Sequence, residues 1–212
     1  FDPSSILQDI PPKTAVAWDE RNGTLIARKE WRIGSLLARE EPLRQPDTAA
    51  VTDAVCNFIA KEGLHVFNRT EEAQQLQARC IAIQYWRPDL LFPDMKEEAL
   101  LSSVHHWAGP FIGAIRKKED LKKLDLKEML MASLSWEQQQ TLQRLAPEKI
   151  DVPSGSAIKI TYQEDGSAPR LAVRLQELFG MLETPKVNEG RNPILIELAD
   201  MSCLVSDLQT KN

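Results

Sequence analysis

The chain has 212 residues, of which 42% are hydrophobic and 27% are charged, a balance typical of folded proteins rather than disordered or fibrous ones. Its formal net charge is -5 at pH 7, from 26 basic and 31 acidic residues, so attraction to nucleic acid requires a local patch. No apolar run reaches the roughly 20 residues of a membrane-spanning helix, and the start lacks the features of a signal peptide.

The N-terminal 45 residues predict an antiparallel β-meander. Asn22-Gly23 separates two strand-like runs, and both residues tolerate the positive φ angles of a hairpin turn. A third strand follows Gly34, and Pro42 and Pro46 end the segment. Three strands alone bury little surface, so we expect this meander either to complete a sheet begun upstream or to pack on the residues that follow.

Residues 46–147 change to helical periodicity. Val51, Val55 and Phe58 share one face of a first helix, and a second is predicted over 70–86. Capping-box patterns at Asp94 and Ser135 open later helices. We therefore predict a helical domain over this range.

Residues 148–212 return to strands, with one short helix over 174–179 and further strands over 193–198 and 203–205. The predicted fold class is α+β, with an N-terminal antiparallel meander (1–45), a central helical domain (46–147) and a small antiparallel β domain (148–212). Four residues are predicted to form a core between the last helix and the C-terminal sheet: Trp136, Leu171, Val173 and Phe179.

Three cysteines, Cys56, Cys80 and Cys203, are far apart and lack any C-x-x-C spacing. This pattern indicates neither a disulfide framework nor a zinc site, and it favours a reducing, cytoplasmic location. His105 and His106 are adjacent, so on a helix they point in different directions and cannot bind one metal as an i, i+4 pair could. We expect no metal site.

Six motifs carry a family resemblance: LSWEQ at 134–138, LAP at 145–147, VPSGS at 152–156, LAVRLQELFG at 171–180, ETP at 183–185 and GRNP at 190–193. Together they resemble the C-terminal region of HrpB-type DEAH-box ATP-dependent RNA helicases. The resemblance implies a parent protein whose upstream helicase domains bind ATP and magnesium, with this chain as a C-terminal extension. We expect the meander over 1–45 to attach this extension to the upstream helicase body. Residues after 198 depart from the family pattern and the chain starts without Met, so we expect a piece of a longer protein, truncated or lacking a loop.

The chain has no G-x-x-x-x-G-K-[ST] phosphate loop and no D-E-x-H motif, so we expect no catalytic residue and no cofactor in it. The predicted function is a non-catalytic accessory region that shapes RNA binding or docks a partner. The alternative is a protein-interaction module that recruits the helicase without contacting RNA.

Two surfaces are candidates for RNA contact. Slightly preferred is a strand surface where Lys159, Arg170 and Arg174 surround Tyr162, whose ring would stack on a base of single-stranded RNA. A solvated strand face is the alternative there, with Arg174 and Glu177 forming an i, i+3 ion pair. The second surface is denser in charge and would bind RNA phosphates or a protein partner, unless it is only a solvated helix face. It comprises Arg116, Lys117, Lys118 and Lys122, followed by Lys123 and Lys127.

Overall fold

The first three strands form an antiparallel sheet in which they lie in chain order. A computed structural model describes residues 11–199, and in it these strands are β1 Lys13–Asp19, β2 Thr24–Ile33 and β3 Leu36–Pro42. The predicted hairpin is confirmed: Gly23 adopts a φ of 63°, and its N–H donates to the Asp19 carbonyl at 2.8 Å. Glycine suits this left-handed conformation because it has no Cβ.

The described residues contain eight α-helices. They are α1 Thr48–Glu62, α2 Glu71–Trp86, α3 Glu97–Ser102, α4 Val104–Trp107, α5 Gly109–Ile112, α6 Lys118–Leu121, α7 Leu126–Ala132 and α8 Trp136–Leu145. Short 3-10 helices span Leu64–Val66, Pro88–Leu90 and Leu175–Leu178. The remaining strands are β4 Lys149–Asp151, β5 Ala157–Thr161, β6 Arg170–Val173, β7 Lys186–Val187, β8 Asn192–Pro193 and β9 Leu195–Leu198. The α+β class is therefore confirmed.

Contacts divide the chain into two compact units, each built from two segments. In the described residues, one unit comprises 11–70 and 97–133, and the other comprises 71–96 and 134–199. The domain boundaries predicted at residues 45 and 147 stay a prediction.

The first unit packs the β-meander on α1. Val51, Val55 and Phe58 are buried, as the helical spacing predicted. Trp18 of β1 stacks on Phe58 with ring centroids 4.5 Å apart, so an aromatic pair joins the sheet to the helix. Such a stacked pair contributes roughly 0.5–1.5 kcal/mol beyond its buried area.

The second unit packs α2 with a four-stranded sheet in the order β4-β5-β6-β9. Its strands pair antiparallel except β6 and β9, which are parallel. This pairing departs from the purely antiparallel sheet that we predicted. Parallel neighbours need a connection of about a dozen residues or more, and the 3-10 helix and the β7–β8 hairpin supply that crossover. The predicted strand over 203–205 lies outside the described residues.

The predicted helix-to-sheet core is half right. Leu171 and Val173 are buried, but Trp136 and Phe179 are 72% and 68% exposed. The Ser135 capping box is confirmed, since Ser135 and Gln138 exchange side-chain to backbone hydrogen bonds. This capping box makes Trp136 the first residue of α8. Because successive helix residues are rotated by about 100°, Trp136 lies roughly 120° around the helix from the buried Leu142. The side chain therefore points away from the core.

Candidate nucleic-acid interface

The exposed face of the C-terminal sheet carries the first candidate surface. Thr161 on β5 lies opposite Arg170 on β6, and Lys159 lies opposite Lys149 on β4. Directly opposed residues share a face, and alternate residues along a strand do the same. The structure therefore brings Lys149, Lys159 and Arg170 to one exposed face.

Two of these sheet cations, Lys159 and Arg170, are already paired with acids of the same unit. Lys159 Nζ lies 2.5 Å from Glu71 Oε1, and Arg170 Nη1 lies 2.8 Å from Glu197 Oε1. The Glu177 carboxylate accepts a hydrogen bond from the backbone N–H of Arg174 at 3.0 Å. It thus caps the following 3-10 helix, in place of the side-chain ion pair that the i, i+3 spacing suggested.

Tyr162 does not offer a ring for stacking, so this part of the prediction is wrong. The residue is only 2% exposed, and its hydroxyl donates to the Pro147 carbonyl at 2.7 Å. Its backbone is paired twice with the Gln75 side chain, at 2.8 and 3.2 Å. Burial raises the pKa of the phenol well above its ordinary value. Tyr162 is therefore a core residue on the opposite side of the strand from Lys159.

Arg79 is a buried cation that the sequence reading missed. It lies in α2 and is 2% exposed. Its Nε donates to the Ala146 carbonyl at 2.6 Å, and its Nη1 donates to Glu148 Oε1 at 2.9 Å. Burial lowers the pKa of Arg79, and Glu148 partly opposes this shift. Arg79 therefore attaches the start of the C-terminal sheet segment to α2, and its role is structural.

The second candidate surface is the basic cluster, which we define as Arg116, Lys117, Lys118 and Lys122. It surrounds the one-turn helix α6, which is anchored by the fully buried Leu121. Arg116, Lys117 and Lys122 are exposed, and Lys118 is half-buried. The alternative of a solvated helix face stays open, and α6 supplies a single turn of it.

Within residues 11–199, the four cations of the basic cluster form no ion pair. Arg116 Nη1 donates instead to the carbonyls of Gly113 and Ile115, at 3.1 and 2.9 Å. Asp120 is bound by Lys123 at 2.9 Å, and the same interaction lowers the pKa of the carboxyl. The other carboxylate oxygen of Asp120 accepts the backbone N–H of Lys117 at 3.2 Å, so no cluster side chain is used to bind this acid. Glu119, the second acid of the segment, is exposed.

The backbone of the basic cluster is joined to the β1–β2 turn. Leu25 N–H donates to the Arg116 carbonyl at 2.8 Å, and Lys118 N–H donates to the Gly23 carbonyl at 2.8 Å. Thr24 and Lys117 form an antiparallel β-bridge between these two bonds. A Cβ at Gly23 would lie 3.4 Å from the Lys118 Cβ. The hairpin turn therefore lies directly against the cluster.

Other candidate chemistry is limited. In the part of the chain that the structure describes, no cluster of three or more His, Cys, Asp or Glu side chains is arranged to hold a metal ion. No helix among those residues has the length and apolarity to span a membrane. His105 Nε2 contacts Asp53 Oδ1 at 3.1 Å on the surface. Cys56 and Cys80 are buried, and desolvation raises their pKa to about 11 and about 12.

Two family models match the chain. The connector region of ATP-dependent RNA helicase HrpB matches residues 10–43, and the ATP-dependent helicase C-terminal model matches residues 107–203. The β1–β2 turn thus falls in the first match and the basic cluster in the second.

The chain is also similar to ATP-dependent RNA helicase HrpB of Escherichia coli (strain K12), with 37% identity over 191 residues. That alignment covers 90% of this chain and 24% of the relative. A crystal structure of the E. coli DExH-box NTPase HrpB has a TM-score of 0.73 at 34% identity, covering 95% of this chain and 25% of that one. A second, of the E. coli DEAH/RHA helicase HrpB, has a TM-score of 0.71 at 36% identity, covering 89% and 24%. The chain spans about a quarter of the length of these relatives.

Proposed function

The chain belongs to the HrpB-type helicase family, of which it carries the connector and C-terminal regions, and we propose that it is a non-catalytic accessory region that contacts RNA phosphates. It contains no phosphate loop and no D-E-x-H motif. In this proposal ATP and magnesium bind to upstream helicase domains of a parent ATP-dependent helicase, and this chain helps to hold the RNA. The proposal also includes a cytoplasmic location, where Cys56 and Cys80 stay reduced.

The observation that carries the proposal is the unpaired charge of the basic cluster. Four cations within seven residues form no ion pair in the described range. Of the two acids among them, Asp120 is bound by Lys123 and Glu119 is exposed. A phosphate that binds there has no protein carboxylate to displace. Each phosphate neutralised by a lysine or arginine also releases condensed counterions from the nucleic acid, which favours binding.

In this proposal the basic cluster ranks ahead of the strand surface, which reverses the order that the sequence favoured. Lys159 and Arg170 would each have to leave a carboxylate, Glu71 and Glu197 respectively, before meeting a phosphate. The strand surface also lacks a stacking ring, because Tyr162 is buried. Lys159 and Arg170 are therefore suited to structural roles, with Lys159 joining β5 to α2 and Arg170 joining β6 to β9.

A salt series of single-stranded RNA binding tests the proposal, with Lys117→Ala/Lys118→Ala compared against the control Lys159→Ala/Arg170→Ala. Alanine at 118 keeps the Cβ that packs near Gly23. Each lost phosphate contact lowers the slope of log affinity against log salt by about 0.7, so the cluster variant should lose about 1.4. The control should keep the parent slope. The proposal fails if the parent chain binds no RNA or if the two variants change the slope equally.

A second candidate function is docking to upstream helicase domains or to another protein, and exposed apolar side chains favour it. Trp136, Phe179 and Leu182 are 72%, 68% and 96% exposed, and large aromatic residues are frequent anchors of protein interfaces. In this case Trp136→Ala/Phe179→Ala lowers the melting temperature of the full-length helicase and leaves that of the 212-residue chain unchanged. An unchanged melting temperature in both proteins would exclude docking to the helicase body. Unchanged affinity of the variant for separate protein partners would exclude docking to another protein through these side chains.

A further inference from the structure

The β1–β2 turn presents a cation beside the basic cluster. Arg21 is exposed and forms no side-chain ion pair within residues 11–199. It lies two residues before Gly23, whose carbonyl accepts the Lys118 N–H at 2.8 Å. Two residues span at most about 7 Å of chain, so the Arg21 backbone is held close to the cluster.

The acids next to Arg21 are engaged with other groups. The Asp19 carboxylate accepts hydrogen bonds from the Asn22 side chain at 2.7 Å and from the Arg21 N–H at 3.0 Å. The bond from Asn22 is the main cause that lowers the pKa of Asp19. Glu20 lies 2.5 Å from Lys61 Nζ. The turn thus uses its carboxylates mainly to hold its own shape and a neighbouring helix. The Asp19 carboxylate also attracts the Arg21 guanidinium, but this attraction is the least of the causes that lower the pKa of Asp19.

We propose that Arg21 and the basic cluster form one composite binding surface for the RNA backbone, with Arg21 as a further phosphate-binding residue. This inference rests on the proposed function. The surface joins the family's connector region to its C-terminal region, because Arg21 lies in the first match and the cluster lies in the second. An arginine suits this position because its guanidinium binds phosphate oxygens through two parallel hydrogen bonds. The exposed carboxylate of Glu119 lies among these cations in the sequence, and its negative charge reduces the attraction of this surface for phosphate.

Gly23 makes the composite surface sterically feasible. Its φ of 63° is in the left-handed region, and an added Cβ would meet the Lys118 Cβ at 3.4 Å. Glycine therefore lets the turn adopt this conformation and lets the cluster backbone approach it closely. The position of Arg21 relative to Lys118 is consequently fixed by two backbone hydrogen bonds and one β-bridge, and it does not depend on flexible side chains.

The test compares Arg21→Ala, Arg21→Lys and the control Lys13→Ala in the 212-residue chain, using a labelled single-stranded oligouridylate across a salt series. Lys13 is exposed at the other end of β1, six residues from Asp19, which is about 20 Å along an extended strand. Arg21→Ala should lower the salt slope by about 0.7 and weaken binding several-fold at low salt. Arg21→Lys should keep the slope because it keeps the charge, and Lys13→Ala should match the parent.

The outcomes separate this inference from the proposed function. If Lys117→Ala/Lys118→Ala lowers the salt slope and Arg21→Ala does not, the composite surface is wrong and the proposed function stands. If neither changes the slope, or if the parent chain does not bind the oligouridylate, both are wrong. Far-UV circular dichroism of Arg21→Ala should match the parent, because the substitution removes only an exposed side chain. Should its spectrum change, Arg21→Gln, which keeps much of the side chain without its charge, must show the same loss of slope for the inference to stand.

Discussion

Replacing Arg79 with methionine removes the polar link between α2 and the segment that begins the C-terminal sheet. Methionine keeps most of the aliphatic length but has no donor for the Ala146 carbonyl or for Glu148, which Arg79 contacts at 2.6 and 2.9 Å. Ala146 is fully buried, so water cannot readily replace the lost donor. We therefore expect Arg79→Met to destabilise the second unit.

The magnitude follows from the two contacts. An unsatisfied buried acceptor costs about 1–3 kcal/mol. Removing one partner of a fully buried ion pair costs roughly 3–5 kcal/mol, but the Glu148 side chain is 45% exposed and regains water. The variant also no longer buries a cation, which offsets part of the loss. The expected net destabilisation is about 2 kcal/mol, or about 4–8 °C in melting temperature for a chain of this size.

Thermal and urea unfolding of Arg79→Met should be measured beside Arg144→Met. Arg144 is in the same unit, is 62% exposed and contacts Glu189 at 3.5 Å, so its substitution should cost less than about 0.5 kcal/mol. A double-mutant cycle with Glu148→Gln should show positive coupling between Arg79 and Glu148. Equal melting temperatures for the two arginine variants would refute the structural role of Arg79.

Three further predictions concern the cores and the cysteines. Burial raises the pKa of Tyr162 above its value in the unfolded chain, so the stability that this group contributes is complete below about pH 10 and falls as pH rises further. The melting temperature of Tyr162→Phe should therefore fall less steeply above pH 10 than that of the parent. Parallel curves of melting temperature against pH would contradict this. Burial raises the pKa values of Cys56 and Cys80 to about 11 and about 12. In a Cys203→Ser variant, these two thiols should therefore react with Ellman's reagent at pH 8 only when the chain unfolds. Fast labelling of the native chain would contradict their burial. Trp136→Ala should change the free energy of unfolding of the 212-residue chain by less than about 0.5 kcal/mol, because Trp136 is exposed. Leu171 is fully buried, so Leu171→Ala should lower the free energy of unfolding by about 2–5 kcal/mol. Equal effects of the two substitutions would contradict the packing.

The features that the sequence predicted well depend on local chemistry. The hairpin at Asn22-Gly23 follows from turn residues, although Gly23 alone of the two adopts a positive φ. The α8 start follows from the Ser135–Gln138 capping box. The buried face of α1 follows from helical spacing. Each involves residues close together in the chain, where turn and helix geometry constrain the answer.

Two errors were avoidable from periodicity. Lys159 and Tyr162 are three residues apart on an extended segment, so they point to opposite faces, and Tyr162 shares its side with the buried Ile160. Arg79 likewise falls between Leu76 and Cys80 on the apolar face of α2. A cation in that register is a sign of a buried, paired side chain.

Other features depend on contacts between distant parts of the sequence. The bridge from Thr24 to Lys117 and the parallel pairing of β6 with β9 have no local signature. The ion pairs of Lys159 and Arg170 with Glu71 and Glu197 likewise depend on tertiary structure. Those contacts decide which cations are available to RNA, so the ranking of the two surfaces could not come from composition or spacing alone.

Lysine footprinting can show which lysines of the chain the RNA covers. The chain is treated with an amine-reactive acetylating reagent with and without single-stranded RNA, and modification at each lysine is quantified by mass spectrometry. RNA contact through the basic cluster predicts reduced acetylation of Lys117, Lys118 and Lys122, with Lys13 and Lys159 unchanged. Protection of Lys159 with unchanged acetylation of the three cluster lysines would contradict the account.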